Sequence, residues 1–315
     1  MLNSLVQTVL QGLLLGGLYA LFALGQSLMF GVMRLTNTAH GDFIVLGAFA
    51  AIAGLNAWAG LAGPSSAAGL AGPSGAAGLA ALAVTLALLP LAFGFGYVLQ
   101  RWVLNGTLGR DPLPSLVVTF GLSIVIQNGL LQLFSADPRS IETGGFNTAS
   151  VGWAGGSADG AGLAVGVLPL AILALALVAT AGLQWLFGST RLGRAFRAVS
   201  DDREIAELMG LRAHHLYALA TAIAFVLIAL AGVLQGMRTT VSPADGPRLL
   251  LFAFEAVIIG GMGSFWGTLV GALLLGVVQQ IGFRLDPGWG IWLGHVAFLA
   301  VLVWRPQGLF PKTRG

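Results

Sequence analysis

The 315-residue chain has no cysteine, a single lysine and little charge of either sign. Without cysteine there is no disulfide framework and no thiolate nucleophile or metal ligand. The lysine, Lys312, lies in the tail, so no glycine-rich stretch is followed by the lysine a phosphate loop needs, and the chain supplies no nucleotide site of that kind. Charged residues are 9% of the chain, 15 basic and 12 acidic, against about 25% in ordinary globular domains. That is too little to cover a soluble fold, and it excludes a soluble enzyme, a disordered chain and a nucleic-acid binder. A net charge of +3 is also too small for a polyanion partner. His40, His214, His215 and His295 form no HExxH or other clustered metal spacing. What abounds is apolar surface: 57% hydrophobic residues and a mean hydropathy of +0.88. The chain reads as an integral membrane protein, not itself an enzyme, with no cofactor or metal of its own.

Asp, Glu, Lys and Arg are absent from seven runs: 1–33, 43–100, 112–136, 160–190, 213–237, 256–283 and 287–304. A spanning helix takes about 20 apolar residues to cross about 30 Å of hydrocarbon. The run 43–100 therefore holds two spans, and the chain about eight hydrophobic segments. Barrel strands of about ten alternating residues do not fit runs this long. The first run has no basic start and is too long for a secretory signal, so it reads as retained membrane structure. The expected fold is an all-α polytopic helix bundle, one transmembrane domain over 1–315 with broken or re-entrant helices. Gly12/Gly16, Gly232/Gly236 and Gly263/Gly267/Gly271 have the small-xxx-small spacing that lets helix backbones approach closely.

A tandem nonapeptide with Gly63-Pro64 and Gly72-Pro73 breaks helix and predicts a flexible aqueous loop over 60–78. Residues 137–159, with Asp137, Arg139, Glu142 and Asp159 among Gly, Ser and Thr, predict a longer one. Residues 191–212 hold nine charges, five of them Arg, and belong in the cytoplasm by the positive-inside rule. Counting crossings then puts Arg34, Arg101 and Arg110 inside, and the Gly-Pro repeat and Arg139 outside. The tail with Arg305, Lys312 and Arg314 also belongs inside, which needs an even number of crossings after 212. A broken pair of half-helices over 252–282, entering and returning around Gly260-Gly261-Met262-Gly263-Ser264-Phe265-Trp266-Gly267, satisfies this.

Two acids stand at the margins of apolar stretches: Asp42, after Asn37-Thr38-Ala39-His40-Gly41, and Glu255, shortly before Gly260-Gly261. Ionisable groups near hydrocarbon are expensive and mark pathways, and paired broken segments point to a transport site. The plainer reading makes them interfacial loop residues. The segment 188–215 reads as one or two short amphipathic helices. Arg191, Arg194 and Arg197 recur at i+3 opposite Ala195, Phe196, Val199, Ala206, Leu208 and Met209, and Ser200 before Asp201, Asp202 and Glu204 resembles a helix start. A charge-dense cytoplasmic segment with its own apolar stripe suits a docking site better than a plain solvated loop. Ser264 and His295 could be imagined as nucleophile and base, but no motif supports them.

Several stretches in the expected order resemble the LivH-type permease family, the membrane subunits of branched-chain amino-acid ABC importers. They are Gly12-Leu13-Leu14-Leu15-Gly16-Gly17-Leu18-Tyr19-Ala20-Leu21; Asn37-Thr38-Ala39-His40-Gly41-Asp42, where the family has Asn-Phe-Ala-His-Gly-Glu; and Arg194, Arg197, Ala198, Asp202, Ala206 and Gly210. Gly260-Gly261-Met262-Gly263-Ser264 with Gly267, Gly271 and Gly276, and the closing Arg305-Pro306-Gln307-Gly308-Leu309-Phe310, complete the match. The resemblance implies a bacterial inner-membrane permease that pairs with a homologous second permease, two cytoplasmic ATPase subunits that use the ATP, and a periplasmic substrate-binding protein. It implies coupling through Arg194, Arg197, Asp202, Ala206 and Gly210, while the residues themselves point to a pathway or gate at Asn37, His40, Asp42, Glu255, Gly260, Gly261 and Gly263. Thr38 and Asp42 depart from the family pattern and the Gly-Pro repeat resembles an insertion. Urea and short-amide importers of the same family therefore stay open as alternatives. So does a stand-alone secondary transporter or channel using Asp42 and Glu255 as ion sites.

Overall fold

In hydrocarbon a backbone N–H or C=O has no water to pair with, so each apolar run closes its hydrogen bonds within itself as helix. The computed structural model describes residues 2–62, 76–108, 113–143, 145, 147, 149–153 and 163–310. In them the runs become α1 (Leu2–Met33), α2 (His40–Ala62), α3 (Ala76–Trp102), α4 (Leu113–Phe134) and α5 (Val167–Ser189). Two short helices follow, α6 (Arg191–Asp201) and α7 (Arg203–Leu208), then α8 (Ala213–Arg238), α9 (Gly246–Gly260), α10 (Phe265–Leu285) and α11 (Trp289–Trp304). Among the described residues, seven helices are long and apolar enough to cross a membrane, and α11 is a shorter apolar helix of 16 residues. Together they account for the expected segments of an all-α membrane bundle. Of the loop expected over 60–78, residues 60–62 and 76–78 are instead helical, as the end of α2 and the start of α3; residues 63–75, Arg110, Asp159, Lys312 and Arg314 lie outside the described residues.

The bundle has two distinct ends. At one, the Ser200 hydroxyl donates to the Gly31 carbonyl (2.8 Å), Gly31 lies against Gly263, and the Leu309 amide donates to the Ile259 carbonyl (2.8 Å). At the other, Arg139 and Val241 exchange backbone hydrogen bonds (3.0 and 2.7 Å) and the Ile141 amide donates to the Gly236 carbonyl (2.8 Å). There the loop after α4 also forms a small antiparallel hairpin, β1 (Ser150–Trp153) with β2 (Leu163–Gly166), where sequence predicted only an aqueous loop. Exposed Trp102, Trp185 and Trp304 sit toward the first end, and Trp58, Trp289 and Trp292 toward the second. Such aromatic girdles mark the two faces of a bilayer.

α1 is the central post. Its 32 residues span about 48 Å, and Leu18 to Leu24 are buried without a break. It packs on α10 more extensively than any other pair of helices does, and also touches α8, α5 and α9. Lipid tails are as apolar as leucine, so helices here gain from close packing rather than from escaping water. The α1–α10 seam supplies it: a Cβ on Gly276 would collide with the backbone of Gly12 and Gly16. The outer helices α3, α4 and α5 instead expose Leu, Val and Phe side chains, as suits a lipid-facing surface.

Two segments interrupt the bundle. After α1, residues 34–39 turn back, with Arg34 at φ 54°, and α2 begins in the interior, level with Phe22 and Ala224. After α8, residues 239–245 likewise fold inward and α9 begins against Gly41. The chain reverses again at 261–264, where sequence predicted a break, with Gly261 at φ 103°. The second limb differs from that expectation. α10 is a full crossing of 21 residues and not a half-helix, because its run stays uncharged until Arg284, which donates to Thr8 and Ser4 at the far end (3.0 and 2.7 Å). Only α9, with 15 residues, is short. Four passes after α7 return residues 305–310 to the α6 end, the side expected for the tail.

Replacing Gly276 by Val is expected to destabilise the purified protein by about 3 kcal/mol or to abolish folding, since the new carbons meet backbone that cannot yield. Gly121→Val, at an exposed position with open space around it, is expected to leave thermal unfolding in detergent unchanged.

Candidate functional site

The functional residues expected from sequence fall into three places. The first is the α6–α7 segment. Thr190 caps α6 by accepting from the Gly193 amide (3.0 Å), and Asp202 caps α7 by accepting from the Ile205 amide (3.0 Å). An acid at a helix start is favoured by the dipole. Ser200, predicted as part of that start, instead ties α6 to α1 through Gly31. The apolar stripe splits in two. Phe196, Val199 and Ala206 are buried against the bundle, whereas Ile205, Leu208 and Met209 are 59%, 86% and 79% exposed. Arg194 is exposed, and the half-buried Arg197 donates to the Phe187 carbonyl at the end of α5. Arg197 therefore anchors α6, while Arg194, Leu208 and Met209 face outward. Gly210 turns the chain at φ 87° into α8. The exposed trio was hidden from sequence because one continuous stripe could not reveal the break at Asp202.

The second place is the junction where α2 and α9 begin. The Asn37 side chain accepts from the Ala39 amide (3.0 Å), bending the chain into α2. His40 Nε2 donates to the Phe22 carbonyl (2.7 Å), which assigns its proton to that nitrogen. The Thr38 and Thr119 hydroxyls bond each other (2.8 Å), and Gln127 donates to the Asp42 carboxylate (2.8 Å). Asn37, His40 and Asp42 are fully buried, not interfacial loop residues. Gly41 and Gly246 touch backbone to backbone, and a Cβ on Gly246 would run into the Asp42 carboxylate. Two helix N-termini thus converge on one acid, an arrangement that favours negative charge. Thr119 and Gln127 of α4 were missed, since lone polar residues in an apolar run carry no spacing signal.

The third place is α9 itself. Glu255 is 1% exposed and bonds His295 Nδ1 of α11 through one carboxyl oxygen, while the other has no protein partner. The His295 ring stacks on Phe252, and Phe252 packs on Tyr19 of α1. Ser264 is no partner of His295: its hydroxyl caps α10 by accepting from the Gly267 amide (3.1 Å). Gly260, Gly261 and Gly263 form the turn at the α6 end, remote from the Asp42 junction. Among the described residues, four of the seven buried side-chain atoms without a protein partner belong to Gln26, Asn37 and His40. Among the described residues no group of His, Asp and Glu could hold a metal ion.

Residues 8–303 match the family described as branched-chain amino acid transport system / permease component. The chain is 29% identical to the high-affinity branched-chain amino acid transport system permease protein BraD of Pseudomonas aeruginosa, over 98% of this chain and 96% of that protein. It is 26% identical to the corresponding permease LivH of Salmonella typhimurium, with the same coverage. The fructose import permease protein FrcC of Rhizobium meliloti is 31% identical over 64% of this chain and 58% of its own. No solved structure matches the chain.

His295→Ala leaves Glu255 buried without its imidazole and is expected to cost about 3 kcal/mol. Combining it with Glu255→Gln should restore much of that loss. A double-mutant cycle from unfolding in detergent checks this; additive losses would show that the pair contributes nothing jointly.

Proposed function

Because the chain belongs to the branched-chain amino acid transport system permease family, we propose that it is the membrane subunit of a bacterial inner-membrane ABC importer for branched-chain or related small amino acids. In this reading it pairs with a homologous second permease, receives cargo from a periplasmic binding protein, and is driven by two cytoplasmic ATPase subunits. The chain binds no cofactor; the ATPases use the ATP. The permease role follows from the family, and cargo and partners are inferred from the relatives' names and the chemistry of the sites.

The observation that carries the coupling assignment is the exposed Ile205-Leu208-Met209 surface, on a segment whose other face is locked to the bundle. An apolar knob in water needs a cover, and a cleft on an ATPase supplies one. The mechanical path is short. α6 holds the end of α1 through Ser200 and Gly31, Gly31 lies on Gly263, and Gly263 sits in the turn that follows α9. ATPase closure displaces α6 and shifts α9 relative to α2, opening or closing the junction at Asp42. The differential affinity of the ATP-bound partners for one state supplies the free energy. The unpaired atoms of Gln26, Asn37 and His40 suit a gate that meets water in its other conformation.

Leu208→Asp with Met209→Asp is expected to abolish ATP-dependent uptake of labelled leucine and co-purification of the ATPases, while membrane insertion and thermal stability stay at wild-type levels. Arg194→Glu is expected to weaken both, whereas Arg197→Glu should lower the stability of the permease itself. Uptake by the chain alone in liposomes, without ATPases or nucleotide, would overturn the reading in favour of a secondary transporter or channel.

A further inference from the structure

An open cavity of about 430 Å³ lies at the end of the bundle opposite α6 and α7, bounded by α1, α8, α9, α10 and the start of α11. Its size falls in the range of about 300–1,000 Å³ common for small-molecule sites. About half of the lining side chains are apolar, with Leu15, Leu18, Phe252 and Phe283 prominent, and the rest are polar. Among the described residues, the lining contains two arginines, Arg238 and Arg248, and no carboxylate.

Most polar groups on these walls are engaged. The Tyr19 hydroxyl donates to Gln279 (2.7 Å), Gln235 to Thr239 (2.8 Å), and Gln280 to Gln11 (2.9 Å). Arg248 is paired with Asp245 (3.2 Å). Arg238, the last residue of α8, is half-buried and has no acid or hydrogen-bond acceptor among the described residues. A guanidinium withdrawn from water without a counter-charge is costly, and its planar fork matches a carboxylate in bidentate geometry.

We propose that this cavity is a transit site for small monocarboxylates with an aliphatic side chain, α-amino acids among them, in which Arg238 takes the carboxylate and the leucine and phenylalanine walls take the hydrocarbon. The site deepens the importer reading and rests on it for its biological sense. It gives urea, short amides and sugars no charged group for Arg238 to hold.

The absence of cysteine makes the test direct. Thr240→Cys in the full chain places one thiol at an exposed position on the cavity wall. An anionic thiol reagent is expected to label it about 10-fold faster than a cationic one of the same size. Leucine should slow that labelling, whereas leucinamide, which lacks the carboxylate, should not. Arg238→Gln in the same background should abolish the leucine effect, and Arg238→Lys should keep the preference for the anionic reagent. Equal protection by leucinamide, or leucine protection that survives Arg238→Gln, overturns the proposal. Uptake of leucine by the complete complex is measured separately. Transport without leucine protection sinks the site and leaves the importer standing, whereas protection without transport does the reverse.

Discussion

The contact of Gly41 with Gly246 holds the interior of this protein together. A helix that starts inside hydrocarbon leaves its first amides without intrahelical partners, which is tolerable only where protein covers them. Here two helices start inside, α2 after the returning segment 34–39 and α9 after 239–245, and each start covers the other. The approach is so close that neither position admits a side chain. With the two positive helix ends brought together, a carboxylate beside them is electrostatically favoured, and Asp42 occupies that place with Gln127 donating to it. An acid in the membrane interior is thus a consequence of how the chain is interrupted.

That junction is linked to the opposite end by the other distinctive packing in the fold. α1 runs the length of the bundle, welded to α10 by glycine-mediated backbone contact, and its end carries α6 through Ser200. α9 starts at the junction and ends at the turn lying against that same end of α1. The exposed Leu208–Met209 face and the buried acid are therefore joined by two rigid rods and one turn. Few independent motions are available to such an arrangement.

Much of this was legible in the sequence because the strongest signals are one-dimensional. Charge-free runs set the spans, the arginine cluster set the side, and Gly260 to Ser264 set the turn. What escaped was whatever depends on pairing across the bundle. The run 256–283 could not tell a half-helix from a crossing, because its far anchor, Arg284 on Ser4 and Thr8, lies more than 270 positions away in sequence. His295 gave no sign of facing Glu255, and the stripe around 191–209 gave no sign that Asp202 would turn half of it outward. Arg197 was read as a docking residue from its spacing with Arg194, yet its bond to the end of α5 gives it a structural task.

The arginines carry one further step. Among the described residues, Arg34, Arg101, Arg191, Arg194, Arg197, Arg203, Arg212 and Arg305 gather at the α6 end, and Arg139, Arg238, Arg248 and Arg284 at the other. The majority obeys the positive-inside rule, so the four exceptions call for local reasons. Arg139 donates to the Phe134 carbonyl, Arg284 braces α1, and Arg248 pairs with Asp245. Arg238 has no such bond. A cation that orientation disfavours and no neighbour neutralises persists where something outside the fold completes it. Its place in the wall of a cavity that also offers leucine and phenylalanine side chains makes a passing carboxylate the natural complement.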